Sequence, residues 1–467
     1  MAQCLLPLLL DHFGMEPSTV KVIESRDNRA RIAASIAKGV HYVQIEITRD
    51  NLTDVLAENL SDGDLLIDLA WNIDLSELLD WCRENNVRYL NTSVEVWDPY
   101  VEPASASPQE RTLYHRHMTL RRQLQRWVHN DGPSAVVEHG ANPGLVSHFT
   151  KQALVDIANA VLRDGLLTDR HDGLREAIAA GQFNVLSQLL GVKSIHIAER
   201  DTQITDRPKL PGEFVNTWSV DGFYEEGVAP AEMGWGTHEK RLPALALTHE
   251  GEGPKNQICL AQMAHKTLVR SCVPSGPIVG MVIRHGEAFT ICDYLTVWEG
   301  GEAIYRPTVH YAYCPSDVAW ASFVELEGTQ YDYPVNQRIM NDEIISGRDE
   351  LGVLIMGHPY KAWWTGMLTS IEEARASAPH QSATTVQVAA SILGAVDWLL
   401  RSPREGVRVP DELPWRDVIA VATPYVGTTW SGPLDWDPVS TRADWFDQWA
   451  GREFDRDDVW QFTNFQV

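Results

Sequence analysis

Between His196 and Glu239, nine carboxylates are interleaved with five large aromatics. The acids are Glu199, Asp201, Asp206, Glu213, Asp221, Glu225, Glu226, Glu232 and Glu239; the aromatics are Phe214, Trp218, Phe223, Tyr224 and Trp235. Carboxylates pair with ammonium groups and indole faces attract cations, so this composition suits a cage for a small cationic substrate. A solvated acidic loop over a few core aromatics has the same composition. Taken alone, the segment favours that plainer reading.

The rest of the chain narrows the chemistry. A formal net charge of -25 argues against nucleic acid or an anionic membrane as partner, and an acidic surface draws small cations instead. The six cysteines are scattered with no C-x-x-C pair, which suits a reducing, cytoplasmic setting and gives neither a disulfide framework nor a zinc site. His115, His117, His139 and His148 lack metal-ligand spacing and no H-E-x-x-H occurs, so no metal is expected. The apolar run Cys4–Leu10 is too short to span a membrane. Val386–Leu400 is interrupted by Gln387, Ser391 and Asp397 and reads as a packed core helix.

The elements that must position such a site alternate through the first 145 residues. Leu5–His12 reads as the end of a helix, and Val20–Ile23, Val40–Ile47, Asp64–Leu69, Arg88–Asn91 and Ala135–Val137 read as short strands. Helices carry the apolar stripes Leu52, Val55, Leu56, Leu60 and Leu75, Leu78, Leu79, Cys82, and Arg111–His129 is a charged helix. This alternation predicts an α/β fold with a Rossmann-type, doubly wound parallel sheet. After Gly144, strand-like stretches (Lys193–Ile197, Pro277–Ile283, Ala288–Val297) stand among Gly- and Trp-rich loops, which predicts a second α+β domain for substrate and dimerisation. The expected division is 1–145 for the dinucleotide domain, rejoined by the helix near 382–402, then 146–381 for the substrate domain. Residues 403–467, rich in Pro, Asp and Trp, read as a C-terminal tail wrapping the surface.

Glu24 closes the strand Val20–Ile23, where an acid bonds the adenosine ribose hydroxyls and favours NAD over NADP. That fingerprint needs a glycine-rich turn roughly 20 residues earlier, and counting back from Glu24 runs off the chain. Two readings stay open. Either no nucleotide site exists and Glu24 is a surface acid, or the sequence as given lacks the first strand and phosphate loop. The second is favoured, because the first strand sits mid-sheet and its loss leaves two apolar strands with bare edges. If a dinucleotide binds, strand-end position alone nominates Asp68, Leu69, Thr92 and Glu95 as contacts, with ordinary strand-end loop residues as the alternative.

HGANPGLVSHF (139–149), HIAERDTQ (196–203), EFVNTWSVDGF (213–223), GWGTHE (234–239), YRPTVHYAY (305–313) and DELGVLIMGH (349–358) resemble bacterial homospermidine synthase. That family is an NAD-dependent branch of the saccharopine dehydrogenase-like group, and the resemblance runs through nearly the whole chain. It implies that NAD takes hydride from the amine-bearing carbon of putrescine and that the imine loses ammonia. A second putrescine then condenses, and the new imine is re-reduced to homospermidine. The N-terminus departs from the family, which has a strand and glycine-rich turn there.

The resemblance also implies roles. Asn142 in the G-A-N-P-G turn meets the nicotinamide and orients substrate, with Gly140 and Ala141 beside the cofactor. Glu199 and Glu226 line the amine pocket, and Trp218 faces the cation. His285, placed before the expected strand Ala288–Val297, is a proton carrier, and Asp349 orients it or receives a proton. A homodimer binding small polyamines is expected. The rivals are a carboxynorspermidine- or saccharopine-type reductase, which would place Arg or Lys in the pocket (Arg200 and Arg284 lie adjacent), and a non-catalytic remnant that keeps the fold.

Overall fold

The computed structural model describes residues 1–98, 106–127, 129–442, 445–451 and 453–467. The first half builds short parallel strands joined by helices, as its apolar periodicity dictates. Leu75–Glu84 shows how. Asp74 caps it by accepting from the amides of Ser76 and Glu77 at 2.9 and 3.2 Å, and Leu75, Leu78, Leu79 and Cys82 bury one stripe.

The parallel sheet stands in two pieces. Lys21–Glu24 pairs only with His41–Gln44. Leu65–Asp68, Arg88–Asn91, Ala135–Val136 and Val407–Arg408 form a separate four-stranded parallel sheet in that order. Lys21–Glu24 and Leu65–Asp68 share no ladder, so each keeps one edge without a strand partner among the described residues.

The second sheet has ten strands. Its centre is Ser194–Asp201, flanked by Thr308–Cys314 in parallel and Arg348–Met356 antiparallel. Ala362–Ser370 and Thr429–Leu434 extend one side; Pro230–Gly234, Gln257–Met263 and Ala246–Thr248 extend the other. Alternation along the central strands sends His196 and His310 to one face. Glu199, Asp201, Tyr311, Tyr313 and Asp349 go to the other.

Two helices join the sheets. Leu145–Asp164 leaves the turn after Ala135–Val136 and packs on Arg348–Met356 and Ala362–Ser370. Ala383–Arg401, capped by Ser382 at the Thr385 amide (3.1 Å), packs on the strands Arg88–Asn91, Ala135–Val136, Arg348–Met356 and Ala362–Ser370. It is long and apolar enough to cross a membrane, but most of it is buried inside the protein, as the polar interruptions anticipate.

Two expectations are corrected. Ala288–Val297 is not a strand: Glu287–Tyr294 is a helix, and the next strand begins at Val297. Its β-branched and aromatic content suggested a strand, yet Ala288, Ile291, Cys292 and Leu295 also fit helical spacing, and short apolar runs do not separate the two. Residues after Ser402 do not wrap the surface as a tail. Val407–Arg408 completes the small sheet, Trp415–Val426 packs on both joining helices, and Thr429–Leu434 edges the large sheet. Proline and tryptophan density masked the buried spacing Val418, Ala422, Val426.

Candidate active site

The turn from His139 to Gly144 carries Asn142 out of the small sheet. Its shape depends on Gly144, which has φ 132° and lies so close to Gly140 that a Cβ would stand 1.7 Å from the Gly140 carbonyl oxygen. Gly140 donates to the Pro143 carbonyl (2.7 Å) and Leu145 to the Gly140 carbonyl (3.1 Å), closing the loop. Asn91, at the end of its strand, accepts from the backbone of Glu138 and His139 (both 2.8 Å) and locks the turn to the neighbouring strand. Asn142 then donates from Nδ2 to Glu199 Oε2 at 3.2 Å and to the Tyr311 hydroxyl.

Glu199, Asp201 and Asp349 share one buried patch, because Asp349 sits opposite Asp201 in the antiparallel ladder. Tyr311 donates to Glu199. Asp201 accepts from Thr217 Oγ1 (2.7 Å) and from Gln203 Nε2 and backbone (3.0 and 2.8 Å). Asp349 Oδ2 accepts from Thr384 Oγ1 (2.6 Å), and its carboxyl faces that of Glu199. Burial, then the charges of Asp349 and Asp201, pushes Glu199 well above the carboxylate range. Burial likewise raises Asp201 and Asp349. No Lys or Arg makes an ion pair with these three acids among the described residues.

Glu226 and His285 form the next part. His285 Nε2 lies 3.5 Å from Glu226 Oε1, and the imidazole packs 4.5 Å from the Tyr311 ring. Burial, then Arg284, lowers His285 to about 3, so its ring is neutral. Burial also holds Glu226 well above its ordinary value, with Arg284 partly offsetting it. Asp349 does not meet His285, which corrects the expected pairing. The acid beside the imidazole is Glu226, because Asp349's strand register turns it to Glu199 and Thr384 instead.

Adjacent Glu225 has a different fate. It accepts from Arg116 (2.8 Å) and from Arg284, so these two guanidiniums share one carboxylate. Arg200 lies outside this cluster and reaches only Ser275 (3.5 Å). Trp218 completes the aromatic wall: Nε1 donates to the Tyr313 hydroxyl at 3.2 Å, and the ring tilts against Phe223 at 5.8 Å. Gly222 makes room for it, since a Cβ there would come within 2.9 Å of the indole.

The cofactor half keeps its strand-end residues. Glu24 ends Lys21–Glu24, with Oε1 accepting from Ser25 Oγ and the Arg26 amide (3.2 and 3.3 Å). It lies near the start of helix Ala2–Phe13, whose first turn holds no acid and no side-chain cap. A strand-end acid beside an uncapped helix start fits an adenosine ribose and its pyrophosphate. Asp68 ends Leu65–Asp68 just before Leu69 and accepts from Tyr89 (2.8 Å) and the Ala70 amide (3.0 Å). Thr92 lies against Gly140, and Ala141 is buried. Glu95 is turned toward the Glu225, Arg116 and Arg284 cluster; burial and Glu225 push it up to about 7. It is as much a member of the amine side as of the cofactor side.

Sequence reasoning gave no site role to Tyr311, Tyr313, Asn91, Thr384, Gln387 or Ser391. The last three lie on one face of helix Ala383–Arg401. Thr384 holds the Asp349 carboxyl, Gln387 Nε2 donates to the Asp349 carbonyl (3.1 Å), and Ser391 meets His139 Nδ1 (3.0 Å) and the Gly140 carbonyl. Three polar residues at i, i+3 and i+7 inside an apolar helix were the available signal.

A dinucleotide-type half joined to a buried carboxylate cluster beside a neutral histidine fits a saccharopine dehydrogenase-like enzyme. The saccharopine dehydrogenase NADP binding domain matches residues 1–136, and the saccharopine dehydrogenase C-terminal domain matches residues 140–428. Homospermidine synthase of Mesorhizobium japonicum is 38% identical across 99% of this chain and 93% of its own. That of Blastochloris viridis is 39% identical across 99% and 94%. The crystal structure of homospermidine synthase from Legionella pneumophila in complex with NAD aligns at TM-score 0.87 and 36% identity, covering 100% of this chain and 95% of that one. The chain belongs to the homospermidine synthase family.

Proposed function

We propose that the protein is an NAD-dependent homospermidine synthase that joins two putrescine molecules into homospermidine and releases ammonia. One observation carries this reading beyond family membership: Glu199, Asp201 and Asp349 are buried together with no cation among the described residues to balance them. Uncompensated buried carboxylates are costly, so the site calls for a cation from outside. A diamine supplies one at each end. A carboxylated substrate would need a free guanidinium, and Arg116 and Arg284 both already hold Glu225.

The residues divide the work. Glu199, backed by Asp349, takes one ammonium group and Glu226 the other, each becoming ionised as the cation arrives. The Trp218 face covers the cationic carbon chain. The reacting ammonium must lose a proton before its carbon can be oxidised, and neutral His285 presents an unprotonated ring nitrogen. With Glu226 ionised at 3.5 Å, that ring becomes more basic. Asn142, held by Glu199 and Tyr311, offers its carboxamide oxygen to an amine N–H. NAD, when bound, supplies the hydride acceptor and later the donor.

The finer reading is a homodimer acting in the cytoplasm without nucleic acid or membrane. Its support is the charge of -25, six free cysteines, and the exposed aromatics Trp445, Phe446 and Trp449, each more than 70% accessible (78%, 72% and 73%), which a second copy would cover.

The test incubates purified protein with putrescine and NAD⁺ and reads homospermidine by mass. Product without net NADH accumulation supports the reading; NADH building up in proportion to amine consumed, with no homospermidine, defeats it.

A further inference from the structure

Strand Thr308–Cys314 contributes two inward tyrosines, Tyr311 and Tyr313, which so far enter only as hydrogen-bond partners of Asn142, Glu199 and Trp218. Tyr311 is 2% exposed, and its phenol touches three segments at once. The hydroxyl donates to Glu199 on Ser194–Asp201 and accepts from Asn142 in the 139–144 turn. The ring packs 4.5 Å from His285, just ahead of helix Glu287–Tyr294, at an interplanar angle of 43°. Each segment enters from a different part of the fold, and the phenol is where they converge.

We propose that Tyr311 is a positioning residue for the reaction, resting on the homospermidine synthase reading: its hydroxyl holds the Asn142 amide and the Glu199 carboxyl to one point while its ring seats His285. The amine nitrogen and the group that takes its proton are thereby presented together. A second effect follows from charge. The groups facing Glu199 are Asp201 on its own strand, Asp349 on the neighbouring strand, Glu226 on helix Val220–Val228, and Tyr311 and Tyr313. Every carboxyl in that set opposes ionisation of Glu199, and the donors that favour it are the Tyr311 hydroxyl and the Asn142 amide that the same hydroxyl holds. Removing the hydroxyl therefore raises the pH at which Glu199 becomes the carboxylate that holds an ammonium group.

The experiment compares wild type, Tyr311→Phe, Glu199→Gln and the double variant, saturated with NAD⁺. Homospermidine formation is followed between about pH 6 and 10, with melting and NAD⁺ affinity recorded for each. Tyr311→Phe is expected to melt and bind NAD⁺ like wild type and to lose about 30- to 100-fold in kcat, with KM for putrescine changed less than about threefold. Its acid limb in kcat/KM moves up by about one pH unit. The double variant falls no more than about threefold below Glu199→Gln, because both changes cut the same link. A packing role instead predicts additive losses and an acid limb where wild type has it, and that result overturns the assignment. Should phenylalanine destabilise the fold, 3-fluorotyrosine at position 311 keeps the ring and makes a stronger donor. The acid limb then moves down, and an unmoved limb overturns the assignment. Wild type that makes no homospermidine defeats the functional reading and this assignment with it; active wild type with an unimpaired Tyr311→Phe defeats the assignment alone.

Discussion

The side-chain amide of Asn142 reaches Glu199 Oε2 at 3.2 Å, so a turn ending one sheet is hydrogen-bonded directly to a buried carboxyl of the other. Asn142 stands at the carboxyl end of a parallel strand, where a dinucleotide presents its reactive ring. Glu199 stands among the acids that call for a cation. Their contact is where oxidation and amine binding meet.

Trp218→Leu is expected to raise KM for putrescine about tenfold, the loss of a partly desolvated cation–π contact, with less effect on kcat. Trp218→Phe keeps an aromatic face but loses the bond to Tyr313 and should fall between. Steady-state kinetics decide, and a leucine variant with unchanged KM would remove the indole from the substrate's path.

Glu24→Ser should weaken NAD⁺ binding about tenfold by calorimetric titration, the cost of losing charge-assisted bonds to ribose hydroxyls. KM for putrescine at saturating NAD⁺ stays put. Equal affinity in both proteins would make Glu24 an ordinary surface acid.

Gly144→Ala puts a methyl group 1.7 Å from the Gly140 carbonyl oxygen at φ 132°. Chemical denaturation should show a loss of more than about 3 kcal/mol. Gly165→Ala, at φ 68° with no atom within 4 Å of the added carbon, provides the comparison and should cost only about 1 kcal/mol. Equal losses would mean that the turn relaxes.

On the sheet face away from the site, the rings of His196 and His310 lie 4.1 Å apart, tilted at 39°, each with an Nε2 that has no hydrogen-bond partner among the described residues. Burial lowers His310 to about 3 and His196 well below its ordinary value. A depressed histidine keeps its contribution above the unfolded value near 6.5 and loses it as pH falls toward the folded value, because the unfolded chain takes up the proton first. Between pH 7.5 and 5.5, wild type should therefore lose about 1.4 kcal/mol more than His310→Leu. Denaturant titrations at the two pH values give the difference; parallel losses would refute the burial argument.

The first half of the fold was legible because its helices bury one stripe each, as Leu75, Leu78, Leu79 and Cys82 do. Helix Glu287–Tyr294 was not, since it buries polar Glu287 and Thr290 along with its apolar residues, which blurs the stripe, and it is too short for length to arbitrate. Among the site residues, the resemblance pointed to Asn142, Glu199, Trp218, Glu226, His285 and Asp349, and the structure brings Glu226 beside His285 and Asn142 and Asp349 beside Glu199. Composition and spacing alone could not separate Glu225 from Glu226. Glu225 is bonded by two guanidiniums and Glu226 meets His285, and the arginines, Arg116 and Arg284, lie 109 and 59 residues from Glu225. Asp349 was misdirected for the same reason, since strand register decides which neighbour an acid faces. Tyr311 lay inside the family-like block YRPTVHYAY but drew no role, because one phenol among thirteen tyrosines has no spacing signature.

Helix Ala383–Arg401 grips Asp349 through Thr384 and Gln387, and the Gly140 turn through Ser391. The interval between those grips is seven residues of helix, about 10 Å at a fixed rise. A loop in that place would absorb an inserted residue, whereas here each insertion swings Ser391 through about 100° and off the turn. The turn that carries Asn142 and the strand that carries Asp349 are therefore held in register by a strut that cannot stretch. Its length fixes how Asn142 and Asp349 stand on either side of Glu199.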